Sequence, residues 1–220
     1  MNQATRNIVA TVGVMLGIAG MNHGLFETLQ GNNATDGLII QAIGDAQRMW
    51  TYGTEEAFTL IPNFLLTGMV TIVVSITIMI WSVGFVQKKY GPTVFILLFL
   101  LLFLTGGGIG QVVFFIPTWL ASTRINKPLN SWRRVLPENI RLPLSRIWPY
   151  SLSLGVMCFL IALEIAIFGF VPGVSDPDAA LAICWIFLLI AWILLLCSFV
   201  SGFADDIRRN ASLQYNAMQG

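Results

Sequence analysis

The chain has 220 residues, of which 56% are apolar and only 10% charged, and its mean hydropathy is +0.76. A soluble domain carries about 25% charged residues, so this composition excludes a water-coated globule and points to lipid as the solvent. A net charge of +1 gives no case for nucleic acid as a partner. No stretch outside the apolar runs is long enough to bury a core of its own, so residues 1–220 read as a single membrane domain.

A bilayer core of about 30 Å needs roughly 20 apolar residues in a helix. Five runs meet that length: 7–29, 62–86, 92–120, 148–171 and 179–203. The expected fold class is therefore all-α, a polytopic integral membrane bundle of about five transmembrane helices. Pro62, Pro92 and Pro149 fall at or near first turns, where a missing N–H is tolerated. Trp81, Trp119 and Trp148 fall near span ends, as an aromatic belt requires.

The first span reads as a retained helix rather than a signal peptide. Its apolar stretch, 8–19, runs into Asn22, His23 and Glu27 without a small-x-small cleavage site. Residues 20–31 hold the only histidine and one of two carboxylates inside apolar runs; the other is Glu164. Such groups in hydrocarbon mark function by default, because leaving them unpaired there costs at least a few kcal/mol. On a helical wheel Gly13, Gly17, Gly20 and Gly24 form one narrow stripe, suited to close approach by another helix. His23, Glu27 and Gln30 form a second stripe about 80° round from it, at the usual 100° per residue.

Residues 32–61 form a long connection. The apolar positions Leu38, Ile39, Ala42, Ile43, Ala46, Met49 and Trp50 recur at helical spacing, which predicts an amphipathic interfacial helix over 37–50. Glu55 and Glu56 precede the second span and read as favourable charge near a helix N-terminus. Paired glutamates also occur in intramembrane metalloproteases, but those need further histidines, and this chain has none.

The third span is longer than a perpendicular crossing needs and is interrupted by Gly106, Gly107, Gly108 and Gly110, with Gln111 following. A single tilted or kinked helix, a discontinuous helix lining a site, and a re-entrant hairpin turning at the glycines all fit. Residues 121–147 carry Arg124, Lys127, Arg133, Arg134, Arg141 and Arg146 against one acidic residue, Glu138. Prolines 128, 137 and 143 prevent a long helix there. This basic interface is expected to anchor on anionic headgroups, or to dock a partner or anionic substrate. Cys158, Cys184 and Cys197 lie in apolar runs and are expected to be reduced, packed thiols.

Charge placement bears on topology. Five simple crossings with the N-terminus outside leave Arg6, Lys88 and Lys89 outside and the other nine basic residues in the cytoplasm. A hairpin with the N-terminus inside leaves only Arg48 outside. The hairpin fits the charges better, but each arm would be only about 13–14 residues, short for the roughly 20 of a crossing. The five-crossing arrangement is the expectation, with the basic loop and C-terminus cytoplasmic in a plasma or inner membrane. In that arrangement Gln111 neighbours His23, whereas a hairpin would bring His23 and Glu164 to one depth.

The polar set Asn22, His23, Glu27, Gln30, Gln111 and Glu164 is expected to line a path or form an interhelical clamp. His23 and Glu27 at i, i+4 can touch each other, and they are the candidate metal ligands, although such a site needs further ligands. No motif indicates a cofactor or a catalytic group. The functional expectation is a permease, channel or proton/cation-coupled carrier. The alternative is a non-catalytic subunit or assembly factor of a larger membrane complex, and a metal-dependent intramembrane enzyme comes third. The expected partners are the bilayer and either copies of the chain or other membrane subunits.

Overall fold

The computed structural model describes residues 1–219, with side chains described through Leu213. The chain is predominantly helical. Helices α1 (Gln3–Leu29), α2 (Phe64–Gly84), α7 (Trp148–Phe168) and α8 (Pro177–Gln219) include segments long and apolar enough to cross a membrane. Two shorter apolar helices, α3 (Gly91–Leu104) and α4 (Val112–Ser122), occupy the third predicted span. The basic loop folds into two short helices, α5 (Asn130–Val135) and α6 (Glu138–Ser145).

Helices α1 and α2 pack antiparallel along the glycine stripe. Gly13 faces Ser82, Gly17 faces Met79, Gly20 faces Ser75, and Gly24 faces the backbone of Gly68. A methyl group at Gly24 would lie 2.7 Å from the Gly68 carbonyl oxygen, so only glycine permits this approach. Below the crossing, Ile8, Val12, Leu16, Ile78, Phe95, Phe99 and Phe114 build the buried core.

The third segment reverses on itself rather than running as one helix, which fits the re-entrant hairpin better than the single crossing that was the expectation. Helix α3 starts beside the C-terminal end of α2, where Trp81 Nε1 donates to the Gly91 carbonyl. It rises to Thr105, whose carbonyl accepts from Thr67 and Thr71 near the start of α2. The chain then reverses, and α4 descends to the level of the α1 N-terminus, where the Asn2 N–H donates to Ile125 O at 2.7 Å. The side chains of Asn126 and Asn2 close that end, donating to Gln87 O and to Arg124 O and Lys127 O. The reversal uses Gly106 (φ +113°) and Gly108 (φ +78°), conformations that L side chains rarely adopt. At 1.5 Å per residue the arms are about 21 Å and about 16 Å long, too short for a bilayer core of about 30 Å.

The segment before α2 packs on the hairpin tip. The expected helix over 37–50 is absent. Instead β1 (Ile39–Gln41) pairs antiparallel with β2 (Glu56–Phe58), in the register Ile40↔Ala57. Strand β2 and the residues after it then bond to the hairpin tip. Gly106 N–H donates to Phe58 O at 2.9 Å, Ile109 N–H to Glu56 O at 3.2 Å, and Leu60 N–H to Leu104 O at 2.9 Å. The physical reason is that a non-helical turn buried in a membrane protein leaves backbone groups that must find protein partners. An extended segment offers a row of them, and a helix offers none.

Helix α7 rises parallel to α1 and ends at Gly169, which lies against Trp50; Trp50 Nε1 donates to Ala166 O. Helix α8 descends from Pro177 past the full height of the bundle. Its Asp206 accepts from the Ala4 and Thr5 N–H groups and from Thr5 Oγ1, all within 2.9 Å. A carboxylate from the last helix thus caps the first.

Both chain ends, the α2–α3 turn and the α4–α7 connection therefore share one end of the bundle. Every lysine and arginine except Arg48 lies toward that end. The opposite end carries Asp36, Asp45, Glu55, Glu56, Asp176 and Asp178, with Glu27 and Glu164 just beneath. The two ends are hereafter the basic end and the acidic end.

Candidate functional site

The hairpin tip meets the C-terminal third of α1, and this is where polar side chains converge. Glu27 is fully buried. Its carboxyl group lies against Gly106: a Cβ there would come within 2.5 Å of both carboxyl oxygens. One turn earlier, His23 lies against Gly108, where a Cβ would sit 2.7 Å from ring atoms Cε1 and Nε2. Each glycine is therefore required twice, for its positive φ and for the space the opposing side chain occupies.

His23 and Glu27 do not bond to each other. His23 Nε2 pairs with Glu55 Oε2 at 3.0 Å, across 32 residues of sequence. His23 is 7% exposed and Glu55 44% exposed, so the pair runs from the interior to the acidic surface. Partial burial raises the Glu55 carboxyl, but the charge and hydrogen bond of His23, with the Gly110 N–H, outweigh it. The group is held below the ordinary carboxylate range.

Several buried polar atoms here have no hydrogen-bond partner among the described residues: His23 Nδ1, both Glu27 oxygens, and both side-chain polar atoms of Gln111. Thr71, beside Glu27, donates to the Thr105 carbonyl instead. Gln111 is 7% exposed and its amide lies near Gly108, so it closes the set from the α4 side. Buried polar groups are nearly always satisfied, and here five unpaired atoms fall in one cluster. A cavity of about 30 Å³, enough for about one water, lies beside it, lined by Asn22, His23, Phe26, Thr54, Glu55 and residues of α7.

The remaining expected site residues lie elsewhere. Gln30 donates to Gln41 O and Ala42 O and anchors the loop at its root. Glu164 is level with His23 but points off the outer face of α7; its neighbours Leu163, Ala166 and Ile167 are the ones that line the cavity. Gly107 packs on Leu102, and Gly110 against Glu55. Among the described residues, no three His, Cys, Asp or Glu side chains are arranged to hold a metal ion, so His23 and Glu27 lack a third ligand of that kind. Of the basic set, Arg133 and Arg141 line a cavity at the basic end, while Arg124, Lys127, Arg134 and Arg146 do not.

Glu55 is the residue at this cluster that the sequence did not single out. Its only signal was its pairing with Glu56 ahead of the second span, which reads equally well as a helix-terminus charge. Compared with known protein families, with curated proteins and with solved structures, the chain matches none.

Proposed function

We propose that the protein is a carrier for a small cation, coupled to protons, with its binding site at the hairpin tip. The observation that carries this reading is the Glu27 carboxyl group: wholly buried, without a hydrogen-bond partner among the described residues, and packed against a glycine turn. A bare carboxylate in such a place is strongly disfavoured, so a proton or a cation must neutralise it. Exchange of one for the other is the elementary step of a coupled carrier. His23 Nδ1 and the Gln111 amide supply further polar atoms, and the His23–Glu55 pair links the site to the surface.

Charge distribution supports the same reading. The surface above the site is acidic, and an acidic surface over a low-dielectric opening concentrates cations. The basic end would face the cytoplasm of a plasma or inner membrane by the positive-inside rule, so cations would be drawn in from outside. Below the tip the path is closed by Phe95, Phe99, Phe114 and Leu102. Transport would then require the arms α3 and α4 to shift about their glycine turn.

The test is flux in proteoliposomes holding the purified protein. Under an imposed pH gradient, sodium, potassium or a small organic cation should move, and Glu27→Gln should abolish movement while the variant elutes as wild type by size exclusion. Undiminished flux in Glu27→Gln, or no cation moved by the wild type, sinks the proposal.

A second reading, a subunit of a larger complex or an oligomer of this chain, is favoured by Glu164. Its carboxylate is exposed on the apolar outer face of α7. Helical side chains tilt toward the helix N-terminus, so this one is directed away from the nearer, acidic end, and a partner helix offering a donor would satisfy it. Glu164→Leu should then abolish co-purification of the partner or shift the oligomer to monomer, and an unchanged assembly would reject this reading.

A further inference from the structure

At the basic end, α5 and α6 lie against the lower part of α8 and flank an open cavity of about 530 Å³. Ligand sites commonly measure about 300–1,000 Å³. Its charged lining is Arg133, Arg141, Arg208 and Arg209 against Glu138 and Asp205. Asp205 is already engaged by Arg209, Oδ2 to Nε at 2.9 Å, which leaves the cavity with a surplus of free guanidinium donors.

These donors are held in place. Arg141 Nε donates to Leu136 O and its Nη2 to Arg133 O, each at 2.8 Å, which fixes the guanidinium plane and leaves three of its five N–H groups unspent. Arg208 Nη1 donates to Ser145 Oγ at 2.5 Å, which ties the lower α8 to α6. A planar, preoriented guanidinium is the group best matched to a phosphate by paired hydrogen bonds.

The walls indicate where the phosphate comes from. Leu142, Ile207 and Ala211 line the cavity beside the guanidinium groups, and Leu142 is 44% exposed, so the apolar part of the wall is open on one side. The cavity also begins where α8 passes from its apolar run into Asp205, Asp206, Arg208 and Arg209, the level of a membrane surface. A soluble anion would need the guanidinium groups alone. A membrane lipid would use the apolar rim as well.

We propose that this cavity binds the phosphodiester headgroup of an anionic phospholipid from the adjoining leaflet, with its acyl chains leaving past the exposed Leu142.

The test uses the full chain in a neutral detergent, titrated with short-chain phosphatidylglycerol, with phosphatidylcholine of equal chain length and glycerol phosphate as comparators. Binding is read by calorimetry and by native mass spectrometry. One phosphatidylglycerol per chain should bind saturably, about tenfold or more tighter than phosphatidylcholine, as expected for losing one charge-assisted contact set. Arg141→Gln should weaken it about tenfold on the same basis. Because Arg141 also holds the α5–α6 turn, Arg133→Gln, whose guanidinium is exposed, serves as the second variant and should weaken binding in the same direction. Lys88→Gln and Lys89→Gln, at the same end but outside the cavity, should leave it unchanged. Equal losses in the lysine variants would mean a diffuse basic field and would overturn the site, as would arginine variants that bind like wild type. Glycerol phosphate binding as tightly as phosphatidylglycerol would overturn the lipid assignment in favour of a soluble phosphate.

Discussion

Glu55 and His23 make the contact through which the buried site reaches the surface, and its dependence on pH follows from the lowered Glu55 carboxyl. A carboxyl whose folded value lies below its unfolded one contributes stability at pH above the unfolded value, and that contribution is lost as pH falls through the folded one. Wild type should therefore be more heat-stable than Glu55→Gln near neutrality, and the two should converge in acid; parallel curves across the whole range would show the pair to be inert. The glycines opposite are equally specific. Gly106→Ala and Gly108→Ala each place a methyl group against a buried polar side chain at positive φ, and each should cost about 1–3 kcal/mol, read as a lower thermal midpoint in detergent. Gly84→Ala, which meets open space, should cost nothing comparable. At this scale the sequence was half legible. His23 and Glu27 stood out because ionisable groups are rare in apolar runs, whereas Glu55 lies in a loop among other acidic residues, and only tertiary folding distinguishes it from them.

The re-entrant pair α3–α4 shows where helix-length arguments fail. Hydropathy and length make 92–120 look like one long crossing, because α3 and α4 are both apolar and the glycines between them contribute little to hydropathy. The positive-inside pattern indicated the opposite, with only Arg48 isolated from the other basic residues. The chain reverses at the glycines, the arrangement that the charge pattern favoured. The segment before α2 was itself misread: the helical spacing over 37–50 coexists with Gly37 and Gly44, and β1 within it pairs with β2, the strand that bonds to the tip. Single cysteines at Gln87 and Asn130, with the native cysteines replaced, should label from the same side of the membrane, and a cysteine at Arg48 from the other. Labelling of 87 and 130 from opposite sides would restore a simple crossing. The close contact of α1 with α2 gives a further check. Gly24→Leu drives a side chain into the Gly68 backbone and should abolish folded protein in gentle detergent, while Leu25→Ala, on the exposed side of the same turn, should be recovered at wild-type yield.

Taken whole, the molecule is an electrical dipole built into a bundle, with acidic loops at one end and basic residues at the other. On the readings proposed above, that polarity would orient the chain by the positive-inside rule and would separate cations at one end from phosphates at the other. Its mechanical closure lies at the basic end, where Asp206 receives two N–H groups and a hydroxyl from the start of α1. Asp206→Ala leaves those N–H groups buried and unpaired, and should cost about 1–3 kcal/mol per group left so, seen as a large fall in thermal midpoint; Asp205→Ala, whose partner is the half-exposed Arg209, should cost far less. The same cap has a temporal meaning. Helix α1 leaves the ribosome before α8, so its first-turn N–H groups wait for their acceptor until Asp206 has been made. A chain that stops short of Asp206 would therefore leave unsatisfied backbone at the first turn of α1.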